Sequence, residues 1–90
     1  MLSVVLSNQF KKDLKLAQKR GLNIALLTEV VDKLASGEEL PPKNRDHNLS
    51  GDYAGYRECH IQPDWILVYK IEQTDVLLLL FRTGTHSDLF

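Results

Sequence analysis

Two consecutive segments in the second half of the chain are apolar at nearly every position, and this constrains the fold more than any other feature. They read WILVYKI (65–71) and VLLLLFRT (76–83). A strand with one face in water alternates apolar and polar residues, whereas a strand covered on both faces does not. These segments are therefore predicted to be central strands of a sheet that is covered on both sides, or nearly so.

A third strand is predicted just before them, at YRECHIQ (56–62). Only Pro63 and Asp64 separate it from the next strand, and EQTD (72–75) separates the last two. Connections this short join antiparallel neighbours. The sequence thus predicts a C-terminal antiparallel sheet of three strands.

The first half of the chain has the pattern of a helical hairpin preceded by a short strand, LSVVL (2–6). Ser7 offers an N-cap to a stretch with apolar residues at helical spacing, which Gly21 ends. Asn23 can cap a second helix, which Gly37 ends. The predicted fold is α+β, with a short N-terminal strand, a helical hairpin and a C-terminal antiparallel sheet packed on the helices.

Composition limits the class of protein. Ninety residues with 43% apolar side chains are predicted to form one domain, residues 1–90. Cys59 is the single cysteine and cannot form an internal disulfide, and the apolar run at 2–6 is too short for a signal peptide or a membrane span. We therefore expect a cytoplasmic protein without membrane association. The net charge of −1 gives no global attraction to nucleic acid, so such binding requires unevenly placed charge.

The charge is unevenly placed on the first predicted helix. Lys11, Lys15 and Lys19 recur every four residues, which stacks three ammonium groups on the side away from the apolar stripe. We call these three residues the lysine ridge. Two interpretations stay open: an ordinary solvated face, or a surface that binds nucleic acid through its phosphates.

The turns give a register for the sheet, and the register predicts which reactive side chains meet. A symmetric EQTD turn places Trp65 opposite Arg82, and a two-residue turn at 63–64 places His60 opposite Leu67. Because side chains alternate between the faces, His60, Trp65 and Arg82 then share one face. A guanidinium that grips phosphate, an indole that stacks on a base and an imidazole that moves protons suit RNA. A slip of one residue in either hairpin would separate them.

The other two histidines flank the same strands, and together the three suggest a metal site as an alternative. The ligands would be His47, His60 and His86 with Asp64 or Cys59. No HxxxH, CxxC or HExxH spacing is present, and the ligands would have to come from unrelated segments. The sequence therefore favours a site with no metal and no cofactor.

Three segments together resemble a known family. They are KKDLKLAQKRG (11–21), DHNLSGDYAGYRECHIQPDWILVYK (46–70) and FRTGTHSDLF (81–90). The combination H-x-L-x-G, G-Y-R-x-x-H and P-D-W closely resembles the YafQ branch of the RelE/ParE superfamily, the small toxins of bacterial type II toxin–antitoxin pairs. One departure is Tyr53, which stands where an indole is common in that family.

The resemblance implies a metal-free mRNA endoribonuclease that acts in the ribosomal A site and is neutralised by a cognate antitoxin of the RelB/DinJ type. It implies an active site made of His47, His60, Asp64, Arg82, His86 and Phe90, with Trp65 adjoining it. The histidines would be acid/base groups, Asp64 an acid/base or orienting carboxylate, Arg82 the phosphate clamp and Phe90 a stacking ring.

As a mechanistic hypothesis, a base takes the 2′-OH proton, a cation stabilises the phosphorane, and an acid protonates the departing 5′ oxygen. His86 is the leading acid/base candidate, with His60 and Asp64 sharing the other proton and His47 assisting. Two other functions stay open: a gyrase-directed toxin of the ParE branch, since fold alone does not decide function, and a non-catalytic module that only binds an antitoxin.

Overall fold

The computed structural model describes residues 1–90. Its helices are α1 (Asn8–Lys19), α2 (Ile24–Ala35) and α3 (His86–Leu89), with single 3₁₀ turns at Pro42–Asn44 and Gly51–Tyr53. Its strands are β1 (Ser3–Leu6), β2 (His47–Asn48), β3 (Arg57–Gln62), β4 (Trp65–Glu72) and β5 (Leu77–Gly84). The α+β fold predicted from the sequence is confirmed. None of the helices is long and apolar enough to cross a membrane.

The sheet has five strands in the order β1-β5-β4-β3-β2. Strands β2 to β5 pair in antiparallel fashion, as predicted for the last three. In contrast, β1 lies parallel to β5, with Ser3 opposite Leu77 and Leu6 opposite Leu80, so the sheet is mixed. Parallel neighbours need a long crossover connection. Here the connection along the chain from β1 to β5 contains α1, α2 and strands β2 to β4.

The two helices of the hairpin begin at capping residues, Ser7 and Asn23. The Ser7 hydroxyl accepts a hydrogen bond from the amide of Phe10 at 2.9 Å, and the Asn23 side chain accepts one from Ala25 at 3.1 Å. Each cap satisfies one of the free amide groups at the start of its helix. Gly21 adopts a φ of 76°, which favours glycine and turns the chain from α1 towards α2. Both predicted helices are confirmed.

Both faces of the central strands are covered. The main core lies between the helices and one face, with Phe10, Leu27, Trp65, Leu67, Tyr69 and Leu78 among its buried residues. A second, smaller cluster covers the other face, where Leu89 of α3 packs with Ile66 and Val68. Since β4 is buried on both sides over most of its length, its continuous apolar sequence was a reliable signal.

The predicted register of the last hairpin is wrong. The turn occupies 73–76, with Val76 at a φ of 54°, so Glu72 pairs with Leu77. A register shift between Tyr69 and Val68 then makes Phe81 an extra residue, which places Arg82 opposite Val68 instead of Trp65. A β-bulge of this kind reverses the face of every residue beyond it.

The first hairpin contains a similar irregularity. Gln62 lies opposite Trp65, as predicted, but the register shifts before His60, which lies opposite Ile66 and not Leu67. His60 and Trp65 therefore occupy opposite faces. The indole is 2% exposed in the main core, and its Nε1–H donates to Thr83 Oγ1 at 2.9 Å. The predicted convergence of His60, Trp65 and Arg82 on one face is wrong.

Candidate active site

All three histidines of the chain converge on one carboxylate, that of Glu58. Glu58 is 4% exposed, and its Oε1 lies 2.9 Å from His86 Nε2, 3.6 Å from His60 Nε2 and 3.9 Å from His47 Nε2. We call these four residues the Glu58 cluster. A buried carboxylate needs partners of this kind, because an isolated buried charge is costly.

Local structure explains how the four side chains meet. Glu58 and His60 are two residues apart on β3 and share a face. His47 on β2 is paired directly with Glu58 across the ladder. His86 begins α3, and its ring lies 5.5 Å from that of His60 between centroids. The C-terminal segment thus brings His86 next to His60.

Hydrogen bonds indicate which ring nitrogens carry protons. His47 Nδ1 lies 2.6 Å from the Arg45 carbonyl, and His60 Nδ1 lies 3.2 Å from the Pro63 carbonyl. Carbonyl oxygens only accept, so both rings carry a proton on Nδ1 and turn Nε2 towards the cluster. In His86 it is Nε2 that faces the carboxylate at 2.9 Å, which assigns its proton to Nε2 and leaves Nδ1 as the basic atom.

An aromatic surface adjoins the cluster. Phe90 is 56% exposed, and its ring centroid lies 6.3 Å from that of His86 and 5.1 Å from that of Tyr53. Tyr53 in turn contacts Phe81 edge-on at 6.4 Å. Exposed rings next to proton-transfer groups are suited to stacking on a nucleobase.

Arg82 lies beyond the last β5 residue that pairs with β1, and it points towards α1. Its Nε donates to Asp13 Oδ2 at 2.8 Å and one Nη to Asp13 Oδ1 at 3.2 Å. These hydrogen bonds raise the pKa of Arg82, with smaller electrostatic effects from Tyr53 and Asp88. The guanidinium has five N–H donors and gives two of them to Asp13, so three are left for other acceptors.

Asp64 lies outside the Glu58 cluster. It lines a cleft of about 390 Å³ between α1 and the end of β5, together with Asp13, Arg20, Trp65, Arg82 and Asp88. The structure thus divides the predicted residues into two groups, the histidines with Phe90 and the cleft residues Asp64, Trp65 and Arg82. The groups adjoin where the β3–β4 turn, 63–64, and the residues at the end of β5, 84–86, lie at the same end of the strands.

The lysine ridge and Cys59 lie outside both groups. The lysine ridge is exposed along its length and forms no ion pair. Cys59 is fully buried in the main core, and burial raises the pKa of its thiol to about 12. A protonated, inaccessible thiol is no nucleophile, so Cys59 is a structural residue.

Sequence reasoning missed Glu58. The signal was present, because Glu58 and His60 stand two apart in a predicted strand and must share a face. A charged residue on a strand is usually solvated, so this spacing alone does not mark Glu58 as a site residue.

Known proteins resemble this chain over nearly its full length. The profile of a family of bacterial YafQ toxins of type II toxin–antitoxin systems matches residues 2–90. The chain belongs to this family.

Solved and curated relatives agree with the family assignment. The mRNA interferase toxin YafQ of Escherichia coli K12 is 47% identical over 85 residues, which cover 93% of this chain and 90% of that protein. A metal-bound toxin from Helicobacter pylori matches with a TM-score of 0.95 at 46% identity, over the full length of both chains. YafQ in the E. coli DinJ–YafQ complex matches with a TM-score of 0.90 at 43% identity, covering 100% of this chain and 99% of that one.

Three residues of the Glu58 cluster lie close enough together to hold a metal ion. Glu58, His60 and His86 each offer one ligand atom, and these atoms lie within 4.8 Å of one another. Imidazole nitrogens with one carboxylate oxygen suit Zn²⁺, Cu²⁺ or Ni²⁺. An ion bound there would occupy Nε2 of His60 and His86, the atoms that contact Glu58.

Proposed function

We propose that this YafQ-family toxin, an mRNA endoribonuclease, cleaves its substrate at the Glu58 cluster by acid/base chemistry that uses no metal. One observation carries the proposal: three imidazoles lie within 3.9 Å of a single buried carboxylate oxygen. Histidine is the side chain whose ordinary pKa lies closest to neutrality, so such a cluster can supply both an acid and a base. The family placement favours this activity over that of the gyrase-directed branch.

His86 is the leading acid/base group. Glu58 holds its Nε2–H, fixes the ring and stabilises the imidazolium that forms when Nδ1 takes a proton. His60 presents Nε2 to the same site and exchanges the second proton, with His47 assisting from β2. The 2′ oxygen attacks phosphorus as its proton leaves, and the 5′ oxygen departs as it gains one, so protons and charge balance.

The remaining predicted residues take supporting roles. Arg82 binds the phosphate with the donors that Asp13 leaves free, and Phe90 stacks on a base. Asp64 at the cleft is an orienting carboxylate beside Arg82, with proton transfer as its second possible role. Trp65 is buried and donates a hydrogen bond to Thr83 of β5, so its role is to hold β5 in place. It is not available to stack on substrate, as the sequence had suggested.

Partners follow from the same proposal. The substrate is mRNA in the ribosomal A site, and an antitoxin of the RelB/DinJ type neutralises the toxin, as the complex of E. coli YafQ with DinJ suggests. We place the toxin in the cytoplasm, where translating ribosomes are found. No cofactor is required.

Primer extension on cellular mRNA after induction tests the proposal. Expression of the wild-type chain is expected to give new 5′ ends within translated regions and none in untranslated mRNA. Arg82→Ala should reduce these cuts by at least about 10²-fold, because it removes a charge-assisted contact to the transition state. Absence of cuts with wild type would favour the non-catalytic antitoxin-binding module, and DNA damage in their place would favour the gyrase-directed toxin.

The lysine ridge gives a second prediction. Reversal of Lys11, Lys15 and Lys19 to Glu should weaken ribosome binding and make it less sensitive to salt. Each lost phosphate contact reduces the steepness of log affinity against log salt concentration by about 0.7–0.9, so the three reversals together should reduce it by about 2–3. Co-sedimentation with ribosomes over a series of salt concentrations measures this. Lys33→Glu on α2 is the control for Lys15→Glu, since both are helical lysines and the charge change is equal. If Lys15→Glu and Lys33→Glu change ribosome binding equally, the lysine ridge is an ordinary solvated face and not a binding surface.

A further inference from the structure

His86 belongs to an element that cannot hold its own conformation. Helix α3 is a single turn of four residues, His86–Leu89, and Phe90 follows directly. One turn fixes several dihedral angles for very few hydrogen bonds, so it is unstable alone. The positions of His86 and Phe90 therefore depend on what fastens α3 to the rest of the protein.

Two of the contacts that hold α3 are a buried apolar side chain and a local capping box. Leu89 is buried against Ile66 and Val68 of β4. Thr85 and Asp88 form a capping box, in which the Thr85 amide donates to Asp88 Oδ2 at 3.0 Å and the Asp88 amide donates to Thr85 Oγ1 at 3.1 Å. Neither contact reaches beyond the sheet face on which α3 rests.

The third fastening comes from a distant part of the chain. Arg20, at the C-terminal end of α1, donates from Nη1 to Asp88 Oδ2 at 2.7 Å and from Nη2 to Asp88 Oδ1 at 3.3 Å. The paired geometry fixes direction as well as distance. The Arg20 hydrogen bond is also the main reason that the pKa of Asp88 lies well below its usual range. At neutral pH the contact is therefore fully ionic.

The space around Asp88 leaves it little freedom. A Cβ added at Gly84 would lie 3.0 Å from Asp88 Oδ2 and 3.2 Å from Asp88 Cβ. Such distances are a few tenths of an ångström shorter than ordinary contacts, so β5 passes close to Asp88 at this position. Asp88 is thus held between Gly84, Thr85 and Arg20.

We propose that Arg20 is a positioning residue for cleavage: through Asp88 it sets α3 so that His86 reaches Glu58 and Phe90 borders the site. This inference rests on the proposed function. Arg20 forms its hydrogen bonds and ion pair with Asp88 and none with a histidine, so its effect on chemistry passes through α3. Its neighbours in the lysine ridge suggest the competing role, a direct contact with ribosomal phosphate, and the two roles make different kinetic predictions.

Single-turnover cleavage of mRNA on programmed ribosomes separates the roles. Arg20→Met keeps the apolar stem, and it should lower the cleavage rate at saturating ribosome concentration by about 10-fold while the half-saturating concentration changes by less than about 2-fold. Arg20→Lys retains one charged donor group, so its cleavage rate should lie between those of wild type and Arg20→Met. Asp88→Asn should resemble Arg20→Met, and the double variant should be no worse than either single one, because both remove the same contact.

Hydrogen exchange on the isolated toxin gives a readout that does not need catalysis. In Arg20→Met the amides of 86–90 should exchange faster, while those of α1 and β4 stay as in wild type. Lys33→Met is the matched control, since it removes an exposed cation from the Glu29 ion pair on α2. It should change neither rate nor exchange.

Each outcome decides the inference. A wild-type cleavage rate in Arg20→Met overturns it, and so does unchanged exchange of 86–90. An unchanged maximal rate with a raised half-saturating concentration overturns it in favour of the ribosome contact. If the wild-type toxin itself fails to cleave, the proposed function fails, and the exchange data alone still show whether Arg20 holds α3.

Discussion

Replacement of His86 by Ala is expected to lower the rate of mRNA cleavage by roughly 10²–10⁴-fold, the usual contribution of one proton transfer. The change removes the ring whose Nε2 lies 2.9 Å from Glu58 and whose Nδ1 is the proposed base. The half-exposed position of His86 means that little buried packing is lost. Single-turnover cleavage on programmed ribosomes measures the rate.

Ser87→Ala is the matched control for this variant, because Ser87 is the next residue of α3, is exposed and makes no side-chain hydrogen bond. It should cleave like wild type. The His86→Ala protein should still bind its antitoxin and melt near the wild-type temperature. Cleavage by His86→Ala within a factor of about 3 of wild type would contradict a proton-transfer role.

Glu58→Gln is expected to lower cleavage by roughly 10²-fold or more, since the imidazolium that forms at His86 loses its counter-charge. The same change should leave the free energy of unfolding within about 1 kcal/mol of wild type, because a buried carboxylate carries a desolvation cost that Gln avoids. The variant thus separates activity from stability. Chemical denaturation and single-turnover cleavage on the same preparation measure both.

Glu72→Gln serves as the control for Glu58→Gln, since Glu72 ends β4 in an exposed ion pair with Lys70. It should retain full activity. If Glu58→Gln loses activity and unfolds with much less denaturant than wild type, Glu58 is structural. If both variants remain active, the Glu58 cluster is not where the reaction occurs.

Local signals were sufficient to predict the elements. Ser7 and Asn23 cap the helices in the structure as the sequence indicated, and the apolar segments at 65–71 and 76–83 are central strands. Caps and periodicity act within a few residues, so they can be read without knowledge of the fold. The α+β class followed from their order.

Register and faces could not be predicted in the same way. The extra residues at Phe81 and near His60 are bulges, and each moves the residues beyond it to the other face. Whether a bulge forms depends on packing against α1 and α3, which no local pattern encodes. His60 and Trp65 therefore face opposite sides, although the three histidines still meet because the pairing of β2 with β3 and the turn at Gly84 bring them to Glu58.

The parallel pairing of β1 with β5 bears on the order in which the sheet can form. Residues 3–6 find their partners only in residues 77–80, and Ser7 donates from its hydroxyl to the Phe81 carbonyl at 2.7 Å. Contacts between such distant parts of a chain form late, because their loop-closure entropy must be overcome first. A chain in which residues 77–80 have not yet folded offers β1 no partner, so the five-stranded sheet is completed only once β5 is in place.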